Sequence, residues 1–314
     1  MKSIRKPITR IRIMALMLLG ILLVASGCAA PASAPTAAAT SAAAATPDAT
    51  VAPAATASAA ADATAAAGKV LRVGFECNSA PFCWTQKDDA NGAVPLVGTS
   101  EYTYGFDVAI MKKICDLAGY KLEAYKIDWD GMLLGVQTGT YDAAISGISI
   151  TEKRKVSMDF SDPYYVAGIV GLVRKDSKYA SAKTLTDLSG ARVTSMLNTI
   201  WYDMCQQVPN AVIDPALENL PAMLVAVQSG VEDLILVDEP TAMAATLANP
   251  DLVMIKPDAA DTFKVSDEDV NLGIAIHKGN EDIVKAINAA LAQIPEADRK
   301  AMLEEAIKVQ PLAK

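Results

Sequence analysis

Histidine is nearly missing from this chain: His277 is the only one in 314 residues. A single histidine makes neither a His-rich metal site nor a His-based catalytic pair, so no metal is expected. No two of the five cysteines have Cys-x-x-Cys spacing, which removes the usual zinc and redox motifs. Basic residues are in the minority, 28 against 36 acidic, for a net charge of −8. The electrostatic footprint of a nucleic-acid binder is therefore absent. The apolar run over 13–25, broken only by Gly20, falls short of the roughly 20 residues that span a bilayer.

That run has its own meaning. Lys2, Arg5, Lys6, Arg10 and Arg12 precede it with no acidic residue, and Ala25-Ser26-Gly27-Cys28 follows it. A positive segment, a short apolar segment and small residues make an export signal. The final tetrad resembles the bacterial lipobox, which implies a signal over 1–28 and a lipidated Cys28, although Ala25 departs from the usual Leu. An ordinary cleaved signal and an uncleaved anchor are the alternatives. All three place the rest of the chain outside the cytoplasmic membrane. Beyond Cys28, every residue over 29–67 except Asp48, Val51 and Asp62 is Ala, Thr, Pro or Ser. Scattered proline and the lack of large apolar side chains predict a disordered tether. Without the five signal cations, 23 basic residues face 36 acidic ones. Such acidity favours solubility and disfavours contact with an anionic membrane surface.

The globular part, 68–314, is long enough for one large domain or two lobes. Apolar alternation predicts a strand over 69–75, running into a loop over 76–84. A helix follows over 107–118, with Gly119 after it. A strand over 122–127, a helix capped by Asp130 and running to Gln137, and a short apolar strand over 143–145 complete a β-α-β-α-β series, which predicts parallel pairing in an α/β layer. The pattern then restarts. A strand-like run over 166–173 leads to a short helical turn at 185–190, a strand over 192–195 and a helix over 200–206. Asn219-Leu220-Pro221 opens a helix that ends at Gly230. A strand over 234–237 delivers Asp238, and strands over 252–255 and 270–276 and helices over 281–293 and 296–308 follow. Two crossings, near 166–173 and 270–276, suggest a middle lobe inserted into a first. Lobe 1 is then 68–168 with 274–314, and lobe 2 is 169–273. A small ligand belongs in the cleft between them. Cys115 reads as a small buried hydrophobe. Cys77 and Cys83, six apart in one loop, could bridge in an oxidising compartment or stay free.

Several segments carry a family likeness: Leu71-Arg72-Val73-Gly74 with Ala80-Pro81-Phe82; Gly105-Phe106-Asp107-Val108; Gly139-Thr140-Tyr141-Asp142-Ala143; Ser146-Gly147-Ile148-Ser149-Ile150-Thr151 through Arg154; and Asp159-Phe160-Ser161-Asp162-Pro163-Tyr164-Tyr165. In this order and spacing they resemble the bacterial extracellular solute-binding proteins of polar amino-acid ABC importers, with the type II periplasmic-binding-protein fold. The likeness runs from about Val70 to the C-terminus. It implies an α/β fold of two lobes joined by a two-crossing hinge. It also implies a monomeric, lipid-anchored receptor that captures a free amino acid and delivers it to permease subunits, with no cofactor.

A free amino acid carries a carboxylate and an ammonium on one carbon. Arg154 can grip the carboxylate with its planar fork, and the resemblance gives it that role, assisted at Gly147 and Ser149. The plain alternative is one more surface cation beside Lys153 and Lys155. Asp238 ends an apolar strand, where open α/β sheets bind ligands. It matches the aspartate that takes the ammonium, and it can equally cap the helix that follows. Asn198 and Thr199 match a Gly-Thr pair that donates hydrogen bonds, with Asn a departure. Trp129 matches an aromatic that packs on the ligand side chain. Ser79 stands where relatives often carry the opposing aromatic, and Trp84 is a candidate substitute. Glu76 matches an acidic position that reaches a cationic side chain in some relatives. It either selects Lys- or Arg-like ligands or is a solvated loop charge.

Two other functions compete. Dehydratases acting on cyclic precursors of aromatic amino acids share this fold, and Glu76 is the isolated acid such an enzyme would need. A receptor sensor would require a membrane span and a signalling domain after Lys314. Fold alone does not choose among them; the zwitterion-holding pair favours binding without catalysis.

Overall fold

The computed structural model describes residues 68–311. The expected signal, Cys28 and the tether over 29–67 lie outside that range. Among the described residues no helix is long and apolar enough to cross a membrane.

Two five-stranded sheets organise the chain. In the first, Lys69–Phe75 pairs in parallel with Tyr120–Lys126 on one side and Ala143–Ala144 on the other. The β-α-β-α-β series predicts this arrangement, because a crossover helix returns the chain to start each strand at the same end. Ala275–His277 then enters antiparallel between Ala143–Ala144 and Met158–Phe160. The second sheet has the order Val212–Ile213, Arg192–Thr194, Leu234–Asp238, Ile169–Arg174, Leu252–Ile255. Here Ile169–Arg174 runs antiparallel to both of its neighbours, so parallel pairing covers only part of this half.

Both crossings are broken strands rather than continuous ones. The run over 166–173 divides into Tyr165–Val166 and Ile169–Arg174, and the run over 270–276 into Asn271–Leu272 and Ala275–His277. Val270 instead closes a short helix, Asp267–Val270. The two short pieces pair with each other, Asn271 opposite Val166 and Leu272 opposite Tyr165. They form a two-stranded ribbon through which the chain passes between the sheets in both directions. A glycine sits at each break. Gly168 accepts from Glu239 N at 2.9 Å, and a Cβ on Gly273 would lie 2.6 Å from Ile150 Cδ1. Apolar patterning does not register such breaks.

The helix Phe106–Ala118 buries Ile110, Met111, Ile114 and Cys115 in one core with Ile287 and Leu291 of Glu281–Leu291 and Leu303 and Ile307 of Glu296–Val309. The C-terminal helices thus return to the first sheet. The helix starts at Gly105, where φ is 139° and a Cβ would sit 2.2 Å from the Phe82 carbonyl oxygen. Only glycine fits that approach. It lets Pro81 O and Phe82 O accept from the N–H groups of Phe106 and Asp107, which fixes the loop over 76–84 against the helix. That loop holds more structure than expected: Asn78–Ser79 pairs antiparallel with Cys83–Gln86.

The helix Trp129–Gln137 is capped by Asp128, not Asp130: Asp128 Oδ1 accepts from Gly131 N at 2.8 Å. Both aspartates suit a first turn, but the extended backbone of a cap falls at Asp128. The helix Leu220–Ser229 follows its sequence signals closely, with Asn219 capping and Gly230 left-handed at its end.

Candidate functional site

Parallel strands deliver their C-terminal residues to one side of a sheet. Glu76 follows Lys69–Phe75 directly, and Asp238 ends Leu234–Asp238. These two carboxylates, one from each sheet, line the same narrow cavity of about 40 Å³. Ser79, Trp129, Gly147 and Thr199 line it too, so six of the nine expected residues meet there. Its volume is far below the roughly 300 Å³ at which ligand clefts usually begin. It adjoins two larger spaces. One, of about 590 Å³, shares Thr199 and adds Arg154, Asn198 and Asp130. The other, of about 320 Å³, shares Glu76 and Trp129 and adds Asp128, Asp130 and Glu218.

Arg154 sits in the helical turn Glu152–Lys155, where its N–H reaches the Thr151 hydroxyl. Its guanidinium carbon lies 5.4 Å from the centroid of the Trp129 ring. Nη1 donates to Ser149 O at 2.9 Å and Nη2 to Asn198 O at 3.1 Å. These partners are neutral carbonyls, and no carboxylate among the described residues forms an ion pair with Arg154. Burial pushes the guanidinium down to about 10, opposed by Asp269. It therefore stays charged at neutral pH. Ser149 acts through its carbonyl on Arg154; it is buried and lies outside the small cavity.

Asp238 performs the capping role that its sequence position allows. Oδ1 accepts from Thr241 N at 2.8 Å and Oδ2 from Thr241 Oγ1 at 2.9 Å. It still lines the cavity, and burial, opposed by those two bonds, raises its carboxyl to about 6. Glu76 is 3% exposed. The solvated-loop reading fails on that burial. Desolvation, helped by Asp128, raises the Glu76 carboxyl to about 7.

Asn198 has φ of 57°, the left-handed backbone that glycine adopts freely and that Asn tolerates better than most residues. Its side chain donates to Asp130 Oδ1 at 2.8 Å.

The aromatic wall differs from expectation. Trp84 packs edge-on against Tyr104 at 5.4 Å and donates from Nε1 to Gln86; it does not line the cavity. Phe82 and Trp201 join Trp129 there instead. The sequence reading also missed Ser146, whose hydroxyl takes the Glu76 N–H at 3.4 Å, and Thr241, which holds Asp238. Phe82 and Ser146 lay within the quoted motifs, and Thr241 is placed three residues after a capping aspartate, so their positions carried a signal. Trp201 had none beyond following Thr199. Beneath the wall, Asp107 is fully buried and accepts from Gly147 N at 2.7 Å. Burial raises its carboxyl to about 7, opposed by Tyr164 and Gly147. Cys77 and Cys83 are free thiols.

Comparison with known proteins shows what the chain is similar to. The family model for bacterial extracellular solute-binding proteins, family 3, matches residues 71–306. The L-cystine-binding protein TcyJ of Escherichia coli (strain K12) is 31% identical over 227 residues, covering 71% of this chain and 77% of TcyJ. A Streptococcus pneumoniae amino-acid ABC transporter substrate-binding protein solved with L-arginine is 28% identical, with a TM-score of 0.66, over 78% of this chain and 95% of that one. An ancestral amino-acid-binding protein described as a precursor of cyclohexadienyl dehydratase is 31% identical, with a TM-score of 0.61, over 76% of this chain and 96% of that one.

Proposed function

Since the chain belongs to the bacterial extracellular solute-binding proteins, family 3, we propose that it captures a free amino acid with a cationic side chain between its two halves and presents it to the permease of an ABC importer. One observation carries the reading. Arg154 and Asp238 bring opposite charges, from different halves, to two adjoining spaces that share Thr199, and neither has an ion-pair partner among the described residues. A zwitterion completes both. Its carboxylate takes the fork of Arg154 and its ammonium takes Asp238. The side chain then passes Trp129 toward Glu76, beyond which Asp128, Asp130 and Glu218 line the adjoining space. Four carboxylates favour a positive end group.

The protein binds its solute without turning it over. The lobes divide at 168/169 and 273/274, and the ribbon of Tyr165–Val166 and Asn271–Leu272 is the hinge on which they close. The receptor works outside the cytoplasmic membrane as a monomer, held by a lipid on Cys28 through the tether over 29–67. Calorimetric titration with arginine, lysine, glutamine and cystine tests the central claim. Tight binding of arginine or lysine over glutamine and cystine supports it; equal binding, or none, overturns it. Cys28→Ser tests the anchor separately, by moving the protein from the membrane to the soluble fraction.

A further inference from the structure

Behind the wall that carries Ser79 and Phe82, two thiols meet. The loop folds back so that Cys77 N donates to Cys83 Sγ at 3.2 Å. Each sulfur also has a hydroxyl neighbour: Cys77 Sγ donates to Thr103 Oγ1 at 3.3 Å, and Cys83 Sγ lies 3.2 Å from Ser146 Oγ. Cys77 adopts a left-handed backbone with φ of 58°, which turns the chain at the start of the loop.

The two sulfurs have different surroundings. Cys83 is completely enclosed, and burial followed by the neighbouring Cys77 thiol raises it well above the ordinary thiol value. Cys77 is lowered, first by the hydrogen bond with Cys83, against burial, and then by Thr103 and Lys126. It also lines a groove of about 480 Å³ together with Lys126, Trp84 and, from the other half, Leu220 and Leu224. Cys83 does not reach that groove. Cys115 and Cys205 resemble Cys83: burial pushes each thiol up, to about 12. All four cysteines are buried, and Cys77 alone is lowered. A thiol with a lowered pKa at the edge of a groove, with a second cysteine folded back against its backbone, is an arrangement suited to exchange with a disulfide.

The geometry points to a thiol–disulfide exchange site at Cys77 and Cys83 that takes a low-molecular-weight disulfide from the groove, with Cys77 attacking and Cys83 resolving. In the first step the Cys77 thiolate attacks one sulfur of the disulfide. That S–S bond breaks, and one thiol leaves with the proton that Cys77 gave up. In the second step Cys83, losing its proton, attacks the Cys77 sulfur of the mixed disulfide and expels the second thiol. Two protein thiols are oxidised by two electrons, and one small disulfide is reduced to two thiols. The resulting ring spans 77–83 and restrains Ser79 and Phe82, two residues of the cleft wall.

The test uses the full mature chain, reduced, and 2-hydroxyethyl disulfide, which is uncharged and carries no amino-acid group. Its outcome is therefore independent of the amino-acid reading. Wild type is expected to lose the mass of two hydrogens and two alkylatable thiols, with peptide mapping placing the link between Cys77 and Cys83. Cys83→Ser is expected to stop at the mixed disulfide and gain one hydroxyethylthio group on Cys77, and Cys77→Ser to stay unmodified. Wild type that keeps all its thiols while folded overturns the proposal, whatever the variants do. An adduct on Cys83 in Cys77→Ser overturns the assigned order of attack.

Discussion

Arg154 Nη2 donates to the backbone oxygen of Asn198 at 3.1 Å, while the Asn198 side chain donates to Asp130 at 2.8 Å. Arg154 and Asp130 stand on the first half and Asn198 on the second, so one asparagine is held at two points, backbone and side chain, by the opposite half. Its left-handed backbone turns the carbonyl and the amide toward the opposite half together.

This doubled contact yields the first prediction. Asn198→Gly keeps the left-handed turn without strain but removes the amide. Ligand should dissociate several-fold faster in stopped-flow measurements, with the melting temperature nearly unchanged, because one exposed hydrogen bond contributes only about 0.5–1.5 kcal/mol. Asn198→Ala removes the amide and also strains the backbone, so it should lose both affinity and about 1 kcal/mol of stability.

Arg154→Ala should abolish calorimetrically detectable amino-acid binding while the protein still melts cooperatively. Truncating one side of a buried, hydrogen-bonded charge pair costs about 2–5 kcal/mol or more. Arg154→Lys should recover little, because an ammonium lacks the planar fork that grips Ser149 O and Asn198 O. Normal binding by either variant would remove Arg154 from the site.

Asp238→Asn separates capping from charge. Asparagine caps helices about as well as aspartate, so the Thr241 contact can persist and stability should change by less than about 1 kcal/mol. Affinity for the ammonium should fall by several kcal/mol at most, because its counter-charge is gone. A loss of stability equal to the loss of affinity would show a capping role alone.

Burial raises the Glu76 carboxyl from its ordinary 4.5 to about 7, and this fixes a sign. Below about pH 4.5 both the folded and unfolded chains hold the proton. As pH rises toward 7 the unfolded chain releases it first, so the folded state binds more protons and stability falls across that window. Asp107, raised to about 7, acts in the same direction. Thermal melts of the ligand-free protein should therefore decline from pH 4.5 to 7. Glu76→Gln should make the decline shallower and melt higher at pH 7.5, yet lose the preference for arginine and lysine over glutamine. A parallel decline in wild type and variant would show that Glu76 is not the titrating group.

Legibility from sequence followed the range of the forces involved. Asn219 and Gly230 bracket a helix through bonds to residues three positions away, and both ends were readable. The strand endings that carry Glu76 and Asp238 were readable too, since apolar alternation marks Lys69–Phe75 and a short apolar run marks Leu234–Asp238. The choice of Asp128 over Asp130 as cap was not, because both have the same local chemistry; a distant partner, Asn198, engages the second. Nor were the breaks at Gly168 and Gly273, where crossing segments pair with each other across about a hundred residues. The aromatic wall failed for the same reason. Trp84 and Phe82 are neighbours in one loop, and only the close approach at Gly105 holds that loop so that Phe82 lines the cleft and Trp84 packs against Tyr104.

The short ribbon through which the chain crosses twice has a mechanical consequence. Two backbones bonded side by side cannot slide past each other without breaking their ladder, but they can twist together. Twisting of the paired segments would turn one half against the other about a single axis.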